Sequence, residues 1–113
     1  ALKGIRMLRS LALDLSGNDV GDRGVQALAS IKDAPLLHTL SLNVECNEVG
    51  DTGALALAAL GQAPALHTLT LDVKSNKVGP RGAQALGALK DAPMLHTLNL
   101  KLRQNRVGDA GAA

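Results

Sequence analysis

The sequence predicts an α/β solenoid: a stack of closely similar units, each a strand followed by a helix. Three observations carry that prediction. The first is a strict period. Pro35, Pro64 and Pro93 are spaced by 29 residues, as are His38, His67 and His96, while Asn18, Asn47, Asn76 and Asn105 carry the spacing back to the first copy. Self-similarity at this length marks units that cannot close a core alone and must stack on their neighbours. The second is alternation: Leu11 to Leu15, Leu40 to Val44, Leu69 to Val73 and Leu98 to Leu102 read apolar, polar, apolar, as strands with one buried face do. The third is a change of rhythm after each strand. Gly53, Leu57 and Leu60 recur at spacings of four and three with Ala between them, the pattern of an amphipathic helix.

Each unit justifies its elements in the same order. In the strand, Leu40, Leu42 and Val44 point to one side and Thr39, Ser41 and Asn43 to the other, because successive side chains alternate. A turn follows, marked by the Asn and by the series Gly21, Gly50, Gly79 and Gly108, with a second series at Gly24, Gly53, Gly82 and Gly111. Asp22, Asp51 and Asp109 are expected to cap the helix starts, and Pro80 suits a first-turn position that needs no amide hydrogen. The pairs Ala34-Pro35, Ala63-Pro64 and Ala92-Pro93 end the helix and return the chain to the next strand. The chain therefore holds just under four units and leaves no room for a second domain or a linker.

The turn sequences are more specific than the period. They read Leu13-Asp-Leu15-Ser-Gly-Asn18-Asp-Val20-Gly21-Asp22, then Leu42-Asn-Val44-Glu-Cys-Asn47-Glu-Val49-Gly50-Asp51. The third and fourth are Leu71-Asp-Val73-Lys-Ser-Asn76-Lys-Val78-Gly79-Pro80 and Leu100-Lys-Leu102-Arg-Gln-Asn105-Arg-Val107-Gly108-Asp109. This L-x-L-x-x-N-x-L pattern resembles that of the leucine-rich repeat proteins, of the ribonuclease-inhibitor-like kind with a helix in every unit. One departure stands out. The family's first Leu falls at Ser10, Thr39, Thr68 and Thr97, whereas here Leu comes one residue later and again three residues before that. A strand longer by one Leu-x pair accounts for it and leaves the ladder register to be established. The resemblance implies a parallel sheet on the concave face, helices on the convex face, and a buried ladder of Asn18, Asn47, Asn76 and Asn105 bonded to backbone of their own and adjacent units. It also implies binding of proteins rather than catalysis, although some proteins of this class stimulate GTP hydrolysis on a small GTPase.

Composition narrows the function. With 46% apolar and 19% charged residues in 113, the chain is expected to fold as one domain. Its net charge of +2 is too even to point to nucleic acid. A single cysteine, Cys46, forms no internal disulfide, so an intracellular location is the expectation. No stretch approaches the run of about eighteen apolar residues that a membrane span needs, and no basic-then-apolar leader is visible. Phe, Trp and Tyr are wholly absent, so any interface must work without the best binding anchors.

Catalytic and metal chemistry find little support. Paired carboxylates, a phosphate-cradling glycine loop and a Ser-His-Asp arrangement are missing, and the glycines follow turn spacing. Cys46 takes the place of Gly17, Ser75 and Gln104 in the other units and reads as an ordinary free thiol. His38, His67 and His96 form a column, with Arg9 in the same phase. A linear column of one ligand type is a poor tetrahedral site, and no carboxylate or thiol is in phase, so a structural role at the strand entrance is read over a metal site or a pH switch. No cofactor is expected.

What varies between units carries the specificity. The outward columns Ser10, Thr39, Thr68, Thr97 and Ala12, Ser41, Thr70, Asn99 are small and neutral. Three others change sign along the array: Asp14, Asn43, Asp72, Lys101; Ser16, Glu45, Lys74, Arg103; and Asp19, Glu48, Lys77, Arg106. Acid gathers in the first two units and base in the last two. Like charges on adjacent strands repel, so a protein partner with an acidic patch is expected at the basic cluster; the competing account is simple cross-strand pairing of Glu45 with Lys74 and Glu48 with Lys77. Nucleic acid is disfavoured because no aromatic residue is present to stack on bases. The function expected is that of a non-enzymatic protein-interaction scaffold using the concave face and the strand-to-helix edge. A structural subunit of a large assembly, or a small-GTPase regulator, is the alternative. By phase, Leu2 matches Ile31 near a helix end and Ala110 to Ala113 stop inside a helix. The expectation is therefore a fragment of a longer array, or ends covered by another subunit.

Overall fold

The computed structural model describes residues 8–33 and 35–105. Four five-residue strands, β1 (Ser10–Asp14), β2 (Thr39–Asn43), β3 (Thr68–Asp72) and β4 (Thr97–Lys101), alternate with three helices, α1 (Gly21–Ala29), α2 (Asp51–Ala58) and α3 (Pro80–Gly87). The strands form one parallel sheet in the order β1-β2-β3-β4. The helices form the second layer, α1 against α2 and α2 against α3. Right-handed strand-helix-strand connections give this arrangement when each unit repeats the last.

The register is uniform. Leu11, Leu40, Leu69 and Leu98 stand side by side, as do Leu13, Leu42, Leu71 and Leu100, so every column follows the sequence period. The ladder also runs past the strand ends. His38 N–H donates to Arg9 C=O (3.0 Å) and His67 N–H to His38 C=O (3.1 Å) before the strands, and Val44 N–H donates to Asp72 C=O (2.9 Å) after them. This extension accommodates the additional Leu: Leu37, Leu40, Leu42 and Val44 are all buried. The core lies between the layers, where these residues meet Val49, Leu57 and Leu60 and their counterparts in the third unit.

Each helix is shorter than the apolar pattern suggests. After Ala29, Ala58 and Gly87 the chain tightens into single 3₁₀ turns, Ser30–Asp33, Ala59–Gln62 and Ala88–Asp91. Leu60 and Leu89 lie in these turns and remain buried, so the tighter winding keeps the apolar face toward the sheet. At Ala63 and Ala92, just before the prolines, the backbone becomes extended.

The asparagine ladder links the units. Asn76 Oδ1 accepts from the N–H groups of Asn47 (2.8 Å) and Val49 (2.9 Å), and its Nδ2 donates to the carbonyls of Val44 (2.9 Å), Val73 (3.1 Å) and Lys74 (3.1 Å). Asn47 serves the first unit in the same way, accepting from Asn18 and Val20 and donating to Leu15 and Glu45. Asn105 accepts from Val78 and donates to Val73, Leu102 and Arg103. Each therefore reaches back into the unit before it. Asn18 is the exception among the described residues, exposed and bonded to its own turn at Ser16 C=O (3.1 Å).

The residue before each ladder Asn is left-handed: Gly17 has φ 68°, Cys46 58°, Ser75 58° and Gln104 60°. This explains the column that Cys46 shares. Its members are chosen by a turn, and the non-glycine ones adopt a conformation that costs about 1–2 kcal/mol. The ladder holds them there, through Cys46 N–H to Lys74 C=O (3.2 Å) and Ser75 N–H to Arg103 C=O (2.9 Å).

The helix caps depart from expectation. Neither Asp22 nor Asp51 caps its own helix. Asp22 Oδ1 accepts from Gly50 N–H (2.7 Å) and Gly53 N–H (3.0 Å) at the start of α2, and Asp51 Oδ1 accepts from Gly79 N–H (2.7 Å) and Gly82 N–H (3.0 Å) at the start of α3. Each carboxylate thus caps the helix of the following unit. The second glycine series follows from this: a Cβ at Gly82 would lie 2.7 Å from Asp51 Oδ1 and 2.9 Å from Ala54 Cβ. Pro80 opens α3 as the sequence predicts. Asp51→Ala is expected to lower stability by about 1–2 kcal/mol, read as a shift in the urea midpoint. Ala34, Leu2, Val107, Gly108, Asp109, Ala110 to Ala113 and Gly111 lie outside the described residues.

Candidate functional site

The outward side of the sheet and the turns beyond it carry the variable residues. Thr39, Ser41 and Asn43 of β2 and Thr68, Thr70 and Asp72 of β3 are partly exposed, between inward leucines that are buried. The register sets Asp14, Asn43, Asp72 and Lys101 in one row.

That row also has a structural task that its alternation of charge does not display. Asp14 Oδ1 accepts from the Ser16 N–H (3.1 Å) and hydroxyl (2.8 Å), Asn43 Oδ1 from Glu45 N–H (3.0 Å), and Asp72 Oδ1 from Lys74 N–H (3.2 Å). A side-chain oxygen that accepts from the amide two residues on turns the chain out of its strand. The two Ser16 bonds, backbone first, hold the Asp14 carboxyl below its usual range. The signal was present as Asp or Asn two residues before a polar residue in three units. Lys101, in the fourth, has no oxygen to accept with.

The charges pair only in part as anticipated. Lys77 Nζ lies 3.6 Å from Glu48 Oε1, the expected cross-unit pair, but with side chains 50% and 65% exposed it contributes little. Lys74 does not reach Glu45; its Nζ lies 3.7 Å from Asp72 Oδ2 in its own unit. The backbone bond from Lys74 N–H to Asp72 already draws that carboxylate toward the lysine, which is why the pair is local. Lys101 and Arg103 have no ion-pair partner among the described residues. They flank an open depression of about 430 Å³ against β4, lined also by Lys74, Leu100 and Leu102. Asp19 and Glu48 are exposed with left-handed backbones. Arg106 lies outside the described residues.

The histidine column stacks rather than converges. The His38 and His67 rings are 4.9 Å apart and within 10° of parallel, while His67 and His96 are 5.9 Å apart and tilted by 57°. Nδ1 of His38 is hydrogen-bonded to Thr39 Oγ1 (2.9 Å) and that of His67 to Thr68 Oγ1 (3.2 Å). Among the described residues no group of His, Cys, Asp and Glu is arranged to hold a metal ion, and no helix is long and apolar enough to cross a membrane.

A family model described as Leucine Rich repeat matches residues 6–29, 37–58 and 65–87, more than half of the chain and three successive units. The chain belongs to the leucine-rich repeat family. The helix that follows each of the first three strands and the single parallel sheet are those of the ribonuclease-inhibitor-like type. Comparison with curated proteins gives no match. Leucine-rich repeats are typically non-enzymatic modules that bind proteins. In this leucine-rich repeat array the asparagines and inward leucines belong to the scaffold, and the rows ending in Lys101 and Arg103 belong to the surface.

Proposed function

We propose that this leucine-rich repeat chain is a non-enzymatic interaction module that binds an acidic protein across the outward sheet face and the strand-to-helix edge. Lys74, Lys77, Lys101 and Arg103 are its main contacts, with Asp14, Asp19, Glu45, Glu48 and Asp72 setting polarity along the array. The observation that carries this reading is the pair Lys101 and Arg103, without an ion-pair partner among the described residues and beside an open depression. The small row of Thr39, Thr68 and Thr97 lets a partner approach the backbone closely. With no aromatic residue to anchor it, binding relies on charge and weakens with salt. A protein partner is favoured over nucleic acid because bases would find nothing to stack on and because Asp72 stands beside Lys74. The exposed thiol of Cys46 fits an intracellular setting.

Crosslinking mass spectrometry in native extract, at low and moderate salt, tests the reading. Salt-sensitive crosslinks from Lys74, Lys77 or Lys101 to one acidic protein are expected. Reversing Lys101 and Arg103 to Glu should weaken that complex at least tenfold while stability changes by only about 0.5 kcal/mol. A complex that survives the reversal unchanged would rule the basic cluster out.

A further inference from the structure

We infer that the outer side of α2 is an interface at which two copies of this chain meet face to face across a two-fold axis. The surface lies on the helical layer, away from the sheet face proposed above, and α1 and α3 bound it on both sides.

The second unit departs from its neighbours along the outer side of its helix. Thr52 stands where the flanking units have Arg23 and Arg81, Leu55 where they have Gln26 and Gln84, and Gln62 where they have Asp33 and Asp91. Gly61 replaces Lys32 and Lys90. All these positions lose charge or polar length in the middle unit, although Gly53, Ala54, Leu57 and Leu60 already supply its buried side. A helix that is apolar on both sides is normally covered on both, yet Leu55 is 51% exposed.

The same departures make a knob and a hole. Leu55 is the knob. The hole is an open groove of about 390 Å³ between the second and third units, which begins one turn further along at Ala58 and is lined by Gly61, Gln62, Ala85, Leu89 and Pro93. A Cβ at Gly61 would lie 3.0 Å from Leu89 Cδ2 and 3.2 Å from Ala92 Cβ, so a lysine here, as in the other units, would occupy the groove. Knob and hole belong to opposite halves of one helical segment. An antiparallel two-fold brings the first half of one copy over the second half of the other, so each Leu55 is set at the partner's groove and the contact is reciprocal.

Charge fixes the direction of the axis. α1 and α3 each carry Arg in the first turn, Arg23 and Arg81, and each is followed by a 3₁₀ turn that ends in Asp, Asp33 and Asp91; all four are exposed. An axis running across the helices lays each one antiparallel on its own counterpart. Arg81 of one copy then faces Asp91 of the other, and Arg23 faces Asp33. An axis running along the helices would lay α1 on α3 and set Arg23 against Arg81. Only the first arrangement surrounds the apolar centre with opposite charges. Three short helices bury less than the ~800 Å² per partner of a standard interface, so the expected dimer is weak, with a Kd of about 10–500 µM.

Sedimentation velocity on the purified 113-residue chain, from about 10 µM to about 1 mM, tests this. The average mass should rise toward that of a dimer and stop there. Leu55→Gln, which installs the residue of both flanking units at an exposed position, should weaken association about tenfold. Arg81→Glu should weaken it about three- to tenfold. Adding Asp91→Arg should recover it, because the two residues lie at opposite ends of one helical segment and can pair only between copies. Circular dichroism confirms that each variant is folded. A monomer throughout the range, a mass that climbs past the dimer, association indifferent to Leu55→Gln, or a charge exchange that restores nothing overturns the inference. Lys101→Glu with Arg103→Glu should leave the dimer intact, so this inference and the sheet-face reading fail separately; loss of the dimer in that variant overturns it as well.

Discussion

Asn76→Ala is expected to destabilise the protein by about 3–5 kcal/mol, measured by urea unfolding. Asn76 is 7% exposed and is hydrogen-bonded to five backbone groups drawn from two units. Removing its amide leaves the N–H groups of Asn47 and Val49 without their acceptor, and Val44 C=O without the donor that crosses from the next unit. A buried polar group left unpaired costs about 1–3 kcal/mol, and water admitted to the small space recovers part of the sum. Asn76→Asp separates the two halves of the amide: it keeps an acceptor for Asn47 and Val49 but turns a second oxygen toward three carbonyls, so little stability should return. Asn18→Ala is the control, with an expected loss within about 1 kcal/mol, because that side chain is exposed and makes one bond within its own turn. Equal losses at Asn18 and Asn76 would mean that the ladder does not bind units together.

The same contrast shows what a single sequence can reveal. Leu42 and Asn47 were legible because their columns repeat and their partners are their own counterparts in adjacent units. Asp51 reads as a local cap because a helix-start Asp looks the same in sequence whether it serves its own helix or the next. Its partners, Gly79 and Gly82, lie some 28 to 31 residues on and can be assigned only when the units are stacked. In the candidate site, the change of sign from Asp14 to Lys101 is legible, but the turn-forming duty of Asp14, Asn43 and Asp72 is not, and Lys74 meets Asp72 rather than Glu45. Charge columns report net sign; which atoms meet is decided by backbone turns that a column does not display.

Leu42→Ala is expected to cost about 3–5 kcal/mol, in the upper part of the range for buried leucines. Leu42 is 2% exposed and sits between Leu13 and Leu71, each held by the ladder on either side. The backbone cannot move inward to fill the space without breaking the register with both neighbours, so most of the cavity persists. Leu100, in the same row on the edge strand, is only partly buried, and Leu100→Ala should cost about 1–2 kcal/mol less. The shape of the transition is a second readout. A repeat array is stabilised by interfaces between adjacent units, so weakening the contact between the first and second should loosen the first unit before the rest unfolds. Hydrogen exchange should then show early loss of protection at Leu15 and Gly17, whose amides donate to Asn43 and Glu45, with the amides of Val73 and Ser75 still protected. Uniform loss of protection across all four units would instead show that the array unfolds as one body despite its one-dimensional construction.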